Sequence, residues 1–223
     1  MKALLTGLLV IAAILAGGYW LYGRGDESWR QKMIVTVSTP TGDVTGEAVT
    51  SVYVHKNNLF KDGAGHQFTI KGEAVVVDLG AGHYLFALLS SSDKVEHVAK
   101  LIPDYLQAAQ GLGWNEANEA APDLQGRIAL PENLYPTLVT FADINDPKSV
   151  KEVSPGNLVG AFGPGHALKF IALEVSSESV TKGEVERLIG WLSGYPEPGL
   201  CAPSNAATIP FCRKIRHGDF IRR

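Results

Sequence analysis

Residues 3–22 form an almost unbroken apolar run, ALLTGLLVIAAILAGGYWLY, opened by Met1 and Lys2 and closed by Gly23 and Arg24. Twenty helical residues rise about 30 Å, the thickness of a bilayer's hydrocarbon core. Thr6 is the only strongly polar side chain in the run apart from the tyrosines at its end. A single transmembrane helix is therefore expected, with residues 1–24 as the anchor and the lipid bilayer as partner of residues 3–22. A cleavable secretory signal is the rival reading, with Leu4 to Leu15 as its apolar centre and Ala16-Gly17-Gly18 as a small-residue cleavage site. Tyr19, Trp20 and Tyr22 suit a membrane interface better than the start of a secreted chain, so an uncleaved anchor is favoured. Gly18 stands where a lipidated cysteine would be needed, which excludes lipidation there.

Positive charges on either side of the run, Lys2 against Arg24, Arg30 and Lys32, do not fix its orientation. The only two cysteines, Cys201 and Cys212, stand in CAPSNAATIPFC, a stretch with two prolines and no helical or strand period. One disulfide is the expected reading, and such a bond persists in an oxidising compartment. The soluble part is thus expected outside the cytoplasm. Reduced, partly buried thiols are the alternative, whereas zinc would need a second close ligand pair that is absent.

Apolar residues make up 45% of the chain, charged residues 19%, and the formal charge is −3, so nothing calls for a nucleic-acid partner. The roughly 195 residues after the anchor are enough to bury a substantial core. Met33 to Val37 alternates as a strand and ends at the turn Thr39-Pro40-Thr41-Gly42, after which Ala48, Thr50, Val52 and Val54 share one face of a second strand. Asn57 to Gly65 is polar and glycine-rich, and reads as an exposed loop. In GEAVVVDLGAGHYLFALLS, two runs apolar on both faces flank Gly80-Ala81-Gly82 and predict a hairpin of central strands.

Val95, Val98, Ala99, Ile102 and Leu106 then fall on one helical stripe, with Asp93 and Glu96 placed to cap it and Pro103 placed to kink or divide it. Residues 111–136 lose periodicity and read as a linker or long loop between a β-rich first lobe, 29–110, and an α+β second lobe, 137–223. In the second lobe Leu138 to Phe141 predicts a strand, Ser154-Pro155 a short helix stopped by Gly163-Pro164-Gly165, and Leu168 to Val175 a buried strand. Thr181-Lys182-Gly183-Glu184 has the form of a capping box opening a helix that carries Val185, Leu188, Ile189 and Leu192. Strands and short helices mix without regular βαβ alternation. The fold class expected is α+β, an N-terminal transmembrane helix followed by a mainly antiparallel sheet domain with a few short helices.

Gly80-Ala81-Gly82-His83-Tyr84-Leu85 echoes Gly163-Pro164-Gly165-His166-Ala167-Leu168, and each introduces an apolar strand. If related half-motifs brought His83 and His166 together they could share a metal or an anion, although no third ligand is identifiable; two glycine turns are the plainer reading. Ser90, His83 and Asp78 permit a hydrolytic triad to be imagined, without the GxSxG setting. Asp143 and Asp146 lack the oxygen spacing of a calcium loop and read as a capped turn. In the C-terminal RKIRHGDFIRR, Arg213, Lys214, Arg216, Arg222 and Arg223 are interspersed with Ile215, Phe220 and Ile221. This segment is a candidate for anionic headgroups or an envelope polymer, against the alternative of a solvated tail or final strand. No phosphate loop, HExxH or CxxC occurs, and no cofactor or metal is expected.

At GEAVVVDLGAGHYLFALL, in the anchor and at the LVTF strand near Leu138, the chain resembles a family of bacterial single-pass envelope proteins with no known activity. The resemblance implies a bacterial cell membrane and assigns no functional residue. The function expected is an extracytoplasmic binding or scaffolding domain, with an envelope protein or an anionic surface as partner. The alternative is a membrane-anchored envelope hydrolase.

Overall fold

The computed structural model describes residues 26–55, 67–91, 97–194, 196–201 and 210–223. The expected anchor, the loop at 57–65 and the helix-capping residues Asp93 and Glu96 lie outside the described residues. Among those described, no helix is long and apolar enough to cross a membrane.

A long hairpin organises the chain. β1 (Asp26–Thr39) and β2 (Gly42–His55) pair antiparallel about the turn at Pro40 and Thr41. Gly42, at φ +125°, takes a backbone conformation that side-chain-bearing residues avoid. Thr39 Oγ1 closes the turn by donating to the Gly42 carbonyl at 2.7 Å and accepting from the Thr41 amide at 3.3 Å. β1 continues ahead of its expected start at Met33 because Gln31, a polar residue, occupies an inward position between Trp29 and Met33. It is fully buried, with Nε2 donating to the Val98 carbonyl at 2.7 Å and Oε1 accepting from Trp29 Nε1 at 3.0 Å. A satisfied amide thus continues an inward face that composition alone interrupts.

β3 (Gln67–Glu73) joins β2, and at Ala74 the chain crosses without a turn into a second sheet as β4 (Val75–Gly80). β4 and β5 (His83–Ala87) form the expected hairpin. The remaining strands are β6 (Arg127–Ala129), β7 (Leu138–Phe141), β8 (Val150–Glu152), β9 (Ala167–Val175) and β10 (Ile221–Arg222). The larger sheet has the order β10-β3-β2-β1-β9-β6 and the smaller β4-β5-β7-β8, with antiparallel pairing throughout. Four α-helices, α1 (His97–Gln110), α2 (Trp114–Ala120), α3 (Val159–Phe162) and α4 (Glu184–Leu188), and six short 3₁₀ turns complete the regular elements among the described residues. The α+β, mainly antiparallel class is as expected.

Val75, Val77, Leu85 and Ala87 of the smaller sheet face Met33, Val35, Val37 and Val52 of the larger one in a core that α1 helps to close. Val76, Phe86, Val139 and Phe141 face the other way, into a second core covered by α4 and the C-terminal segment. The smaller sheet is therefore buried on both faces, as its uninterrupted apolar runs require. The sheets approach so closely at Gly46 that a Cβ there would lie 1.9 Å from the Val76 carbonyl oxygen.

Several local expectations are displaced. Residues 111–136 are not an unstructured loop: they carry α2 and β6, and β6 pairs with β9. Strands from both sides of this stretch enter both sheets, β9 beside β1 and β7 beside β5, so the two expected lobes share their sheets. Pro103 lies inside α1 without dividing it. α3 begins at Val159 rather than next to Ser154-Pro155, and only Ile171, Ala172 and Leu173 of β9 are fully buried.

Candidate functional site

The echo between the two Gly-x-Gly-His segments is a shared turn chemistry. Gly80, Gly82, Gly163 and Gly165 all take positive φ, between 80° and 90°. His83 is exposed at the start of β5 and His166 is half-buried ahead of β9, in different sheets. Both rings rest on Phe162, at centroid distances of 6.4 and 6.0 Å, and His166 Nδ1 lies 3.1 Å from the Gly163 carbonyl. Their common neighbour is a phenyl ring, and among the described residues no group of three His, Cys, Asp or Glu could hold a metal ion.

The imagined triad is not assembled. Ser90 is buried beyond the far end of β5 from His83. Asp78 pairs with Tyr84 and so shares the face opposite to that of His83, and its Oδ1 accepts from the Gly80 amide at 2.9 Å. Asp143 and Asp146 each accept from a backbone amide two residues on, at 2.9 Å, as turn caps.

The C-terminal segment is built into the fold and is no solvated tail. Ile215 is 4% exposed and Phe220 fully buried, its ring 6.0 Å from Phe86 and 5.9 Å from Phe141, while β10 pairs with the end of β3. Arg213, Lys214 and Arg216 remain exposed. Arg213 and Arg216 line an open groove of about 490 Å³ with His217 and the Cys201–Cys212 disulfide. The disulfide expected from sequence is present, with its Cα atoms 5.4 Å apart. His217 Nε2 lies 3.0 Å from the Pro198 carbonyl and Nδ1 3.4 Å from Glu197, tying 197–198 to the segment after the disulfide.

The most densely built site lies where β3 leaves the larger sheet. Gly72, at φ +136°, has no room for a Cβ, which would meet Thr50 Cγ2 at 2.8 Å. The next residue, Glu73, is only 3% exposed. Its carboxylate accepts the backbone amides of Gly183, Glu184 (2.9 Å) and Val185 (3.1 Å), and the first of these bonds spans 110 residues of sequence. These are the amides that open α4, and a carboxylate is the natural partner for them. The expected local capping box is therefore corrected: Gly183 is the N-cap, with no side-chain bond of its own.

Thr181 is engaged elsewhere. Its Oγ1 accepts from the Val49 amide at 2.9 Å and its amide donates to the Val49 carbonyl at 3.0 Å, filling the place beside β2 that β3 vacates. The C-terminal segment seals the same crossing, with the Ala74 amide bonded to the Phe220 carbonyl at 2.8 Å. Three distant stretches, 71–73, 180–186 and 221–223, thus meet around a cleft of about 390 Å³. Its charged lining consists of Lys71, Lys182, Arg222 and Arg223 with Glu73 and Glu186. Of the three stretches the sequence marks only the basic C-terminal one, and Glu73 is hinted at by nothing more than an acid standing ahead of three valines.

The stretch leading into this junction is held by a second charge cluster. Lys32, 9% exposed on the outward face of β1, binds the Glu178 carboxylate and lies 3.7 Å from Glu174 and 4.0 Å from Glu47. The hydrogen bond to Glu178 is the main cause of a pKa raised above the ordinary 10.5, opposed in part by desolvation. Arg30 Nη1 adds a 2.9 Å bond to the Glu178 carbonyl.

No family model matches the chain, and no curated protein and no solved structure is found to match it.

Proposed function

We propose that the chain is a membrane-anchored binding or scaffolding module whose folded domain lies outside the cytoplasm. The observation that carries this reading is the Cys201–Cys212 disulfide in a chain that also bears the apolar run 3–22. A bond closing that loop is stable where no thiol buffer reduces it, and a single span delivers the domain to such a compartment. β1 starts at Asp26, shortly after the apolar run, so the domain would stand directly on its anchor. Binding is favoured over catalysis because Ser90, His83 and Asp78 are separated, while a formed cleft gathers charge at the β3 crossing.

The test is topology. Reporter fusions after Arg24 and at Arg223, with thiol labelling of Cys201 and Cys212 in intact cells, should show an exported C-terminus and thiols that react only after reduction. A cytoplasmic C-terminus with freely labelled thiols would overturn the reading.

A further inference from the structure

We propose that the cleft at the β3 crossing is a binding site for a phosphate-bearing small ligand, whose dianionic group is held by Lys71 and Lys182. The argument is one of charge. The chain as a whole is net negative at −3, yet four cations and two carboxylates line this cleft. Both carboxylates have partners of their own. Glu73 is taken up by the three amides that open α4, and Glu186 pairs with Arg223. Arg222 is held by the Gly218 carbonyl at 2.9 Å, with Asp219 3.8 Å away.

That leaves the ammonium groups of Lys71 and Lys182, delivered by β3 and by the turn ahead of α4, with no carboxylate in ion-pairing range among the described residues. Lys71 has the Tyr53 ring, 5.7 Å from its Nζ, as its neighbour. Glu73 keeps its negative charge when it accepts neutral amides, yet cations outnumber carboxylates four to two in the lining, and an anion that enters is drawn by that excess. A net excess of two positive charges suits a phosphate monoester, which carries nearly two negative charges and three terminal oxygens at neutral pH. Val180 and Ile221 supply an apolar wall for the rest of the molecule, and the volume falls within the range of small-ligand sites.

The inference supplies a ligand for the proposed binding module and rests on that reading, while its test is blind to the compartment the domain occupies. Full-length protein in detergent micelles is titrated by calorimetry with glycerol 3-phosphate, with glycerol as the neutral control and inorganic phosphate as competitor. Saturable binding that phosphate competes away is expected. Lys71→Gln and Lys182→Gln should each weaken it roughly ten-fold. Lys182→Arg should retain it, and Lys169→Gln, an exposed cation outside the cleft, should leave it unchanged. Thermal melts of each variant establish that the fold is intact. Vesicles containing phosphatidic acid identify the source: competition with glycerol 3-phosphate marks a lipid phosphate, and its absence marks a free metabolite. No saturable heat, or binding unaltered by the paired lysine substitutions, would overturn the proposal, whatever the topology experiment shows.

Discussion

The β1–β2 turn and the β3 crossing do the same job, redirecting a strand, by opposite means. At the turn, Thr39, Thr41 and Gly42 satisfy one another within a span of three residues. At the crossing, Glu73 reaches α4 across 110 residues and Thr181 reaches β2 across 132. A turn closed locally is available to the chain before the rest has folded. A crossing closed from a distance forms only when the strands, α4 and the C-terminal segment arrive together, so the loss of one partner strands the buried polar groups of the others.

Phe220→Ala should therefore cause the largest loss. It empties the centre of the Phe86–Phe141–Phe220 cluster that backs the crossing, and a buried phenylalanine truncated to alanine costs about 4 kcal/mol. Urea unfolding measures it. A cost no greater than that of a surface substitution would show that the C-terminal segment is an accessory to the fold and not a seal. Glu73→Ala comes next, at about 3 kcal/mol, because amides that open α4 lose a buried acceptor. Hydrogen exchange should speed selectively at Gly183, Glu184 and Val185. Unchanged protection there would mean that α4 does not depend on its distant cap. At the local turn, Thr39→Ala should cost only about 1 kcal/mol, since one hydroxyl is lost and Gly42, whose carbonyl it serves, is exposed to water. Equal losses at Thr39 and Glu73 would erase the contrast between the two regions.

The same contrast explains what could be read in advance. The β4–β5 hairpin and its two-sided burial were legible because valines and leucines at both parities flank one glycine turn. The β1–β2 turn was legible because proline and glycine stand at its fixed positions, and the disulfide because the chain has only two cysteines. β3 was not legible, since Gln67–Glu73 offers only Phe68 and Ile70 as alternating apolar residues. The helix stripe Val185, Leu188, Ile189 and Leu192 correctly marks side chains that enter the second core, although α4 stops at Leu188 and the chain continues as a 3₁₀ turn over Gly190–Ser193. The capping box failed for a physical reason: Thr181 gains more from completing the ladder beside Val49, and Glu73 supplies a charged acceptor that a hydroxyl cannot match. The cleft was illegible because its lysines and arginines belong to segments that only the tertiary fold brings together.

The smallest expected effect lies where the two regions touch. Lys32 belongs to the hairpin and Glu178 to the stretch that leads into the crossing, so their bond couples the two. In the folded chain the Glu178 carboxylate raises the lysine pKa above its ordinary 10.5. The folded state thus keeps this proton at alkaline pH where the unfolded chain has begun to release it, and stability falls as pH rises. The contribution is complete below the unfolded value of 10.5 and disappears as pH climbs through the higher folded value. Glu178 is 57% exposed, so the stabilisation is small and salt should weaken it further. Other lysines and the tyrosines titrate in the same window, so the informative quantity is the stability difference between wild type and Lys32→Met. That difference should shrink between roughly pH 9 and pH 12 at low salt. If it stays constant across the range, the ion pair contributes nothing to coupling hairpin and crossing, and the Arg30 bond to the Glu178 carbonyl is left as the direct tie between β1 and residue 178.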